Sequence, residues 1–165
     1  MRKSVPTIPY RRKRKQKTNY RKRISLLKSG KNRIIIRKSN KYITMQVVSY
    51  KPAGDIIIKS VFSNELTKLG WKFSCKNVPA AYLTGLLIAN KMKSEKNKEC
   101  IVDFGLQTPL KGKNKSYAAL KGAIEGGLLI PADESVLPTD DQVLGKDKSE
   151  DMQKLILSIK KKLLE

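Results

Sequence analysis

The sequence predicts an α/β domain whose mixed sheet carries helices on both faces, with a basic arm before it and an amphipathic helix after it. Two observations carry this. Three strand-like segments follow one another across short turns, the pattern of an antiparallel meander. Beyond them, apolar segments of helical and of strand length alternate, as in units that return the chain to the same sheet. A chain of 165 residues is long enough for one such core.

Residues 1–18 hold too few apolar side chains to bury and include Pro6 and Pro9, so they are expected to form an extended arm. Asn19 is placed to cap a helix in which Tyr20, Ile24 and Leu27 share a stripe, and Gly30 supplies its stop. Strands are expected over 33–37, 42–50 and 56–62. In the second, Ile43, Met45 and Val47 alternate with Tyr42, Thr44, Gln46 and Val48. Ile34, Ile35 and Ile36 run unbroken, as in a strand covered on both faces. The connectors SNK and KPAGD are short and turn-like.

Pro79 suits the first turn of a helix reaching about Met92, and CIVDF, 100–104, reads as a short buried strand. Ser116 is the expected cap of a helix running to about Glu125, and LLIP, 128–131, the expected last strand. Ala118, Ala119, Gly122, Ala123, Gly126 and Gly127 leave that helix little side chain. It can therefore approach the sheet closely, or alternatively an RNA backbone. Trp71 reads as a core plug, with base stacking as the alternative. After Pro131 the chain is acidic and loop-like. It ends in a helix where Met152, Leu155, Ile156, Ile159 and Leu163 keep helical spacing, with acids in the first turn and Lys160 to Lys162 near the end. The chain thus divides into an arm over 1–18, a domain over 19–131, and an acidic linker with a C-terminal helix over 132–165.

The formal charge is +22 and it is unevenly placed: up to Gly54 there are eighteen Lys and Arg and no Asp or Glu. A field of one sign that strong concentrates a polyanion, and nucleic acid is the commonest one. The longest nearly apolar run, PAAYLTGLLIA from Pro79, is about half the length needed to span a bilayer. The basic N-terminus does not lead into the apolar core of a signal peptide. A reducing, soluble compartment is expected, with no membrane partner. Cys75 and Cys100 lack CxxC spacing and read as buried small hydrophobes rather than a disulfide or metal site.

No histidine is present, which excludes Ser-His-Asp and Cys-His catalysis and any His-containing metal site. Asp103, at a strand end, is the best single candidate for acid–base work. The alternative is that it orders the following loop through backbone N–H groups. GLQTPLKGKNKS is poor in glycine and lacks the GxxxxGK[ST] order of a nucleoside-triphosphate loop. No catalytic residue, metal ligand or cofactor is therefore assigned.

Two basic elements remain. The first spans residues 2–23 and contains YRRKRKQKTNYRKR, nine cations in fourteen residues. Arg21, Lys22 and Arg23 occupy a first helical turn, where the macrodipole disfavours each cation by roughly 0.3–1 kcal/mol. They are expected to face an anionic partner, so that replacing Arg21 and Arg23 by Glu would leave the free protein no less stable. Tyr10 and Tyr20 can stack on bases or riboses. A solvated surface or a localisation signal is the alternative. The second element is Lys111, Lys113 and Lys115, which alternate and in an extended loop would follow a phosphate backbone. An ordinary polar loop is its alternative.

The segments KTNYRKRISLLKSGKNRIIIRKSNKYITMQVV, SNELTKLGW, NVPAAYLTGLLIANK, VDFGLQTPLKG and AALKGAIEGGLLIP, in that order, resemble the archaeal and eukaryotic form of large-subunit ribosomal protein eighteen, a family that binds 5S rRNA. The resemblance implies a three-layer α/β/α domain with a mixed sheet, of a type shared with a small-subunit ribosomal protein and, distantly, with ribonuclease H. It implies no catalysis. It implies a place in the large ribosomal subunit in the cytoplasm, in the central protuberance. The partners implied are 5S rRNA, the large-subunit rRNA and a neighbouring 5S-binding ribosomal protein, rather than further copies of the chain.

By position, the family's RNA-binding arm and helix start fall on Arg11, Arg12, Lys13, Arg14, Lys17, Thr18, Tyr20, Arg21 and Arg23. Its second loop falls on Thr108, Lys111, Gly112, Lys113 and Lys115. Lys15 and Gln16 stand where the family commonly has Glu-Gly, and the long basic C-terminal extension of eukaryotic members is missing, which favours an archaeal source. A ribonuclease-H-like nuclease is the rival and would need Asp55, Glu65, Asp103 and Glu125 to converge on a metal. A non-specific nucleic-acid chaperone is the third reading.

Overall fold

A computed structural model describes residues 7–95, 97–107, 113–145 and 150–164. Its centre is a four-stranded sheet of β1 (Asn32–Lys38), β2 (Ile43–Ser49), β3 (Ile56–Phe62) and β4 (Cys100–Asp103), in the order β3-β2-β1-β4. β1, β2 and β3 pair antiparallel as the meander predicts, and β4 joins β1 in parallel, which makes the sheet mixed. Among the described residues there are six α-helices: α1 (Arg11–Arg14), α2 (Tyr20–Leu27), α3 (Val78–Lys91), α4 (Lys115–Glu125), α5 (Asp140–Leu144) and α6 (Glu150–Leu164).

Period-two patterning decides which face of the sheet is dry. Ile34 and Ile36 of β1, Ile43, Met45 and Val47 of β2, and Val61 of β3 enter the core together with α3 and α4. Arg33, Ile35 and Arg37 of β1 fall on the opposite face by the same alternation. The isoleucine run is thus split between two faces, the second of them charged.

α3 starts where Asn77 caps it by accepting from the N–H of Ala80 at 2.8 Å, with Pro79 in the first turn, where its missing donor costs nothing. α6 lays Met152, Ile156, Ile159 and Leu163 into the core alongside α3. Two bonds, one from α3 and one from two residues beyond its end, fix this docking: Asn90 Nδ2 donates to the Leu163 carbonyl and Lys93 Nζ to that of Leu164. Trp71 is buried as a core plug, edge-on to Phe73, and Cys100 is wholly buried, its thiol pushed up to about 11 by burial.

The small residues of α4 serve a purpose the sequence reading missed. They meet α3 rather than the sheet: a Cβ on Gly85 would strike the Ala119 carbonyl oxygen, and one on Gly122 the Tyr82 carbonyl oxygen. The two helices cross backbone to backbone.

Four further expectations are corrected. Asn114, not Ser116, caps α4, accepting from the N–H groups of Ser116 and Tyr117, while Ser116 is buried one residue inside. LLIP forms no strand; Leu129 makes a single parallel bridge beside Glu99 and is 63% exposed, because Leu128 and Ile130 alone turn inward. The acidic linker carries a 3-10 turn over Glu134–Val136 and the short α5. The arm is not extended throughout, since Arg11–Arg14 form one helical turn and Gln16 adopts a positive φ of 50°.

No helix among the described residues is long and apolar enough to cross a membrane.

Candidate nucleic-acid interface

Asn19 caps α2 as predicted, its side chain accepting from the N–H of Lys22 at 3.1 Å. The helix nevertheless leaves the centre of its predicted apolar stripe in solvent. Ile24, the centre of the predicted stripe, is 55% exposed, and Lys22, Arg23, Leu26 and Leu27 are half-buried. The reason lies in what the charged face of the sheet offers.

Arg33 is 1% exposed, and a buried guanidinium requires partners. It has two: Nη2 stands 2.6 Å from Asp55 Oδ2 and Nη1 3.2 Å from Asp103 Oδ2. Asp103 lies opposite Ile35 in the parallel register, so the residues two before and two after Ile35 both reach it. Arg37 Nη1 donates to the Asp103 carbonyl at 2.7 Å, and its Nη2 lies 3.4 Å from Oδ1. Asp55 in turn receives Arg23 Nη2 on both oxygens, at 2.9 and 3.0 Å, which draws α2 onto the sheet. Burial raises the Asp55 carboxyl, but the hydrogen bonds and charges of Arg33 and Arg23 outweigh it and hold the group below the usual carboxylate range.

Asp103 also orders the next loop, as its alternative reading holds: the Gly105 N–H donates to Oδ1 at 2.6 Å. Gly105 has φ +65°, a left-handed conformation that favours glycine, and a Cβ there would also oblige the Arg37 guanidinium, 2.8 Å away, to shift. Lys22 Nζ closes the ring by donating to the Gly105 carbonyl at 3.1 Å.

Together these bonds leave an open groove of about 230 Å³ between the arm, α2, the sheet and the turn after β4. Arg12, Lys17, Lys22, Arg23, Arg33 and Arg37 line it, with Asp103 the one carboxylate among the lining residues.

Of the residues expected to bind RNA, Arg11, Arg12, Lys13, Arg14, Lys17 and Arg21 are exposed. Thr18 accepts from Arg12 Nε at 2.8 Å, and the rings of Tyr10 and Tyr20 lie 5.5 Å apart, so the arm folds back on the start of α2. Arg23 is the exception. Its guanidinium is committed to Asp55, which removes the basis for expecting Arg21 and Arg23 to respond alike to Glu.

Thr108, Lys111 and Gly112 lie outside the described residues. Lys113 is exposed at a positive φ of 65°, its N–H donating to the Val136 carbonyl at 2.8 Å. Lys115 begins α4. The expected extended alternation therefore does not hold from 113 to 115. Instead Lys115 lines a second concavity with Lys38 and Lys76.

Sequence reasoning missed Arg33 and Arg37. The signal was present in RIIIR, where cations four apart must share one face of a strand. The acids proposed for a nuclease do not converge. Asp55 and Asp103 are held by arginines, Glu65 pairs with Lys91 at 2.6 Å, and Glu125 takes the Tyr82 hydroxyl and Lys160.

The family model for ribosomal large subunit proteins 60S L5 and 50S L18 matches residues 7–99. The chain is 43% identical over 139 residues to the large ribosomal subunit protein uL18 of Korarchaeum cryptofilum, covering 84% of this chain and 71% of that one. It is 45% identical over 139 residues to the large ribosomal subunit protein uL18 of Thermofilum pendens, covering 84% and 70%. With a charged groove on a mixed α/β domain and matches across most of its length, the chain belongs to the family of ribosomal large subunit proteins 60S L5 and 50S L18, a structural component of the cytoplasmic large ribosomal subunit and not an enzyme.

Proposed function

We propose that the chain binds 5S rRNA and holds it against the large-subunit rRNA in the central protuberance, beside a neighbouring 5S-binding ribosomal protein. The observation that carries this is the acid-free cationic surface formed by Arg11, Arg12, Lys13, Arg14, Lys17 and Arg21, none of which has a carboxylate partner among the described residues. Cations left unpaired on one side of a fold neutralise phosphates rather than stabilise the protein. Thr18 and the Tyr10–Tyr20 pair set the path of the arm, and the paired rings offer a surface for a base or ribose. Arg23 serves the interface by seating α2. The loop carrying Thr108, Lys111, Gly112 and Lys113, with Lys115 at the start of α4, supplies a second contact, to the large rRNA.

The test is binding of the full chain to 5S rRNA against a scrambled RNA of equal length and matched salt. A clear preference for 5S rRNA is expected. Equal affinity for both would return the protein to a non-specific nucleic-acid chaperone.

A further inference from the structure

The groove between the arm, α2 and the sheet is built differently from the exposed arm beside it. Its cations come from three separate elements: Arg12 and Lys17 from the arm, Lys22 from α2, and Arg37 from β1. They therefore surround a point instead of lining a stripe. Two carboxylates, Asp55 and Asp103, answer the six cations that line it, and both are already engaged with Arg23, Arg33 and Arg37. Arg12 and Lys22 hydrogen-bond only to uncharged oxygens, of Thr18 and Gly105, and the Lys17 ammonium has no partner among the described residues. At the floor, Arg33 Nε is buried without a hydrogen-bond partner, so the positive charge there is incompletely answered from within the protein.

Resting on the 5S rRNA-binding function proposed above, we infer that this groove is a discrete docking slot for one RNA backbone phosphate. A tetrahedral oxyanion presents acceptors in several directions at once, which suits donors converging from three elements and guanidinium forks in particular. A carboxylate, planar and with two oxygens, uses fewer of them. The slot also fixes register: a phosphate seated here meets Arg37, which Asp103 holds, and Lys22, which the Asp103-ordered turn holds, whereas the exposed arm can slide along a backbone. Because Lys22 holds the Gly105 carbonyl, the seated phosphate lies beside the turn after β4, next to the start of the second basic element.

The experiment compares two charge-matched pairs in the full chain. Arg12→Gln with Lys17→Gln removes two exposed groove cations; Arg11→Gln with Lys13→Gln removes two neighbours outside it. Thermal unfolding is followed in inorganic phosphate against chloride at equal ionic strength. Phosphate-specific stabilisation is expected in the parent and in the Arg11/Lys13 pair, and is expected to be absent in the Arg12/Lys17 pair. In the second arm, 5S rRNA carrying single neutral methylphosphonate linkages is bound by each protein. One linkage is expected to weaken the parent by about tenfold, the size of one charge-assisted hydrogen bond, and to have no further effect in the Arg12/Lys17 pair.

If both pairs weaken binding equally, or no linkage is coupled to the groove pair, the cations act as diffuse neutralisers and the slot is overturned. Stabilisation by inorganic phosphate with no coupled RNA linkage would mark a free-anion site and equally overturn it. A parent with no preference for 5S rRNA fails the functional reading instead, and is told apart because the phosphate arm needs no RNA.

Discussion

Arg23 grips both carboxylate oxygens of Asp55, 32 residues further along the chain, at 2.9 and 3.0 Å. Asp55 stands just before β3 and is itself held to the sheet by Arg33. The bond therefore anchors α2, whose Ile24 is left outside while Leu26 and Leu27 are half-buried. Two cations in one helical turn thus have opposite assignments. Arg21→Glu removes an exposed charge and improves the match to the helix dipole, so the free protein should unfold at the same or slightly higher urea while RNA binding weakens. Arg23→Glu places a carboxylate against Asp55 and should lower stability by about 1–3 kcal/mol, the usual cost of leaving a charged hydrogen-bonding group without its partner. Equal urea midpoints for the two variants would show that α2 is not seated through this pair.

The same carboxylate sets an acid limit. Asp55 is held below its ordinary value in the folded chain, so it contributes stability that is fully present above the unfolded carboxylate pKa, about 3.9, and is lost as pH falls through the lower folded value. Glu65 is shifted the same way: burial raises it, but Lys91 and the Phe62 N–H outweigh that. Melting temperature measured from about pH 2 to 6 should therefore drop below about pH 4. Asp55→Asn should be less stable at neutral pH and show a shallower drop, converging on the parent at the acid end. A parallel shift of the whole curve would mean that the charge of Asp55 is not what stabilises.

Where α3 crosses α4, Gly85 and Gly122 let carbonyl groups stand in the space a methyl would need. Backbone cannot swing aside as a side-chain tip can. Gly85→Ala and Gly122→Ala should each destabilise by about 1–3 kcal/mol or more, although alanine is the better helix former in isolation. Urea unfolding measures this directly. Neutral or stabilising results would mean that the helices can separate at little cost.

How much of this was legible beforehand depended on where each residue's partner sits. β2 could be read because its alternation is local, and α3 because its Asn77 cap and Pro79 lie beside its apolar run. α6 showed its buried side through spacing alone. Arg33 could not be recognised as buried, since its partners lie 22 and 70 residues away and hydropathy ranks arginine outermost. For the same reason Ile24 was misread: a stripe on α2 implied an apolar bed, while the sheet offered it carboxylates. The groove was half visible. The cations of the arm and Lys22 were plain in the charge run, but Arg33 and Arg37 join them only once β4 pairs parallel to β1.

The arm itself gives the last prediction. Residues 7–18 contribute nothing to the hydrophobic core, and what the structure gives them is light: the Tyr10–Tyr20 ring pair and the Arg12–Thr18 bond, both at the surface. Deleting residues 1–18 should therefore leave a folded domain whose melting temperature is close to that of the full chain, because the core and the Arg23–Asp55–Arg33–Asp103 network stay whole. The same deletion removes eight Lys and Arg. Each phosphate that is no longer neutralised should flatten the log–log dependence of affinity on salt by roughly 0.7–0.9, so the slope should fall by several such steps while affinity at physiological salt drops steeply. Lys22 and Arg37 remain, but the groove is left without its outer wall, so any phosphate-specific stabilisation should vanish with the arm even though its floor is intact. The measurement is 5S rRNA affinity across a salt series for the full and shortened chains, with thermal unfolding alongside. A shortened chain that keeps the full salt slope would place the RNA-binding surface elsewhere on the domain, and one that fails to fold would make the arm part of the fold rather than part of the interface.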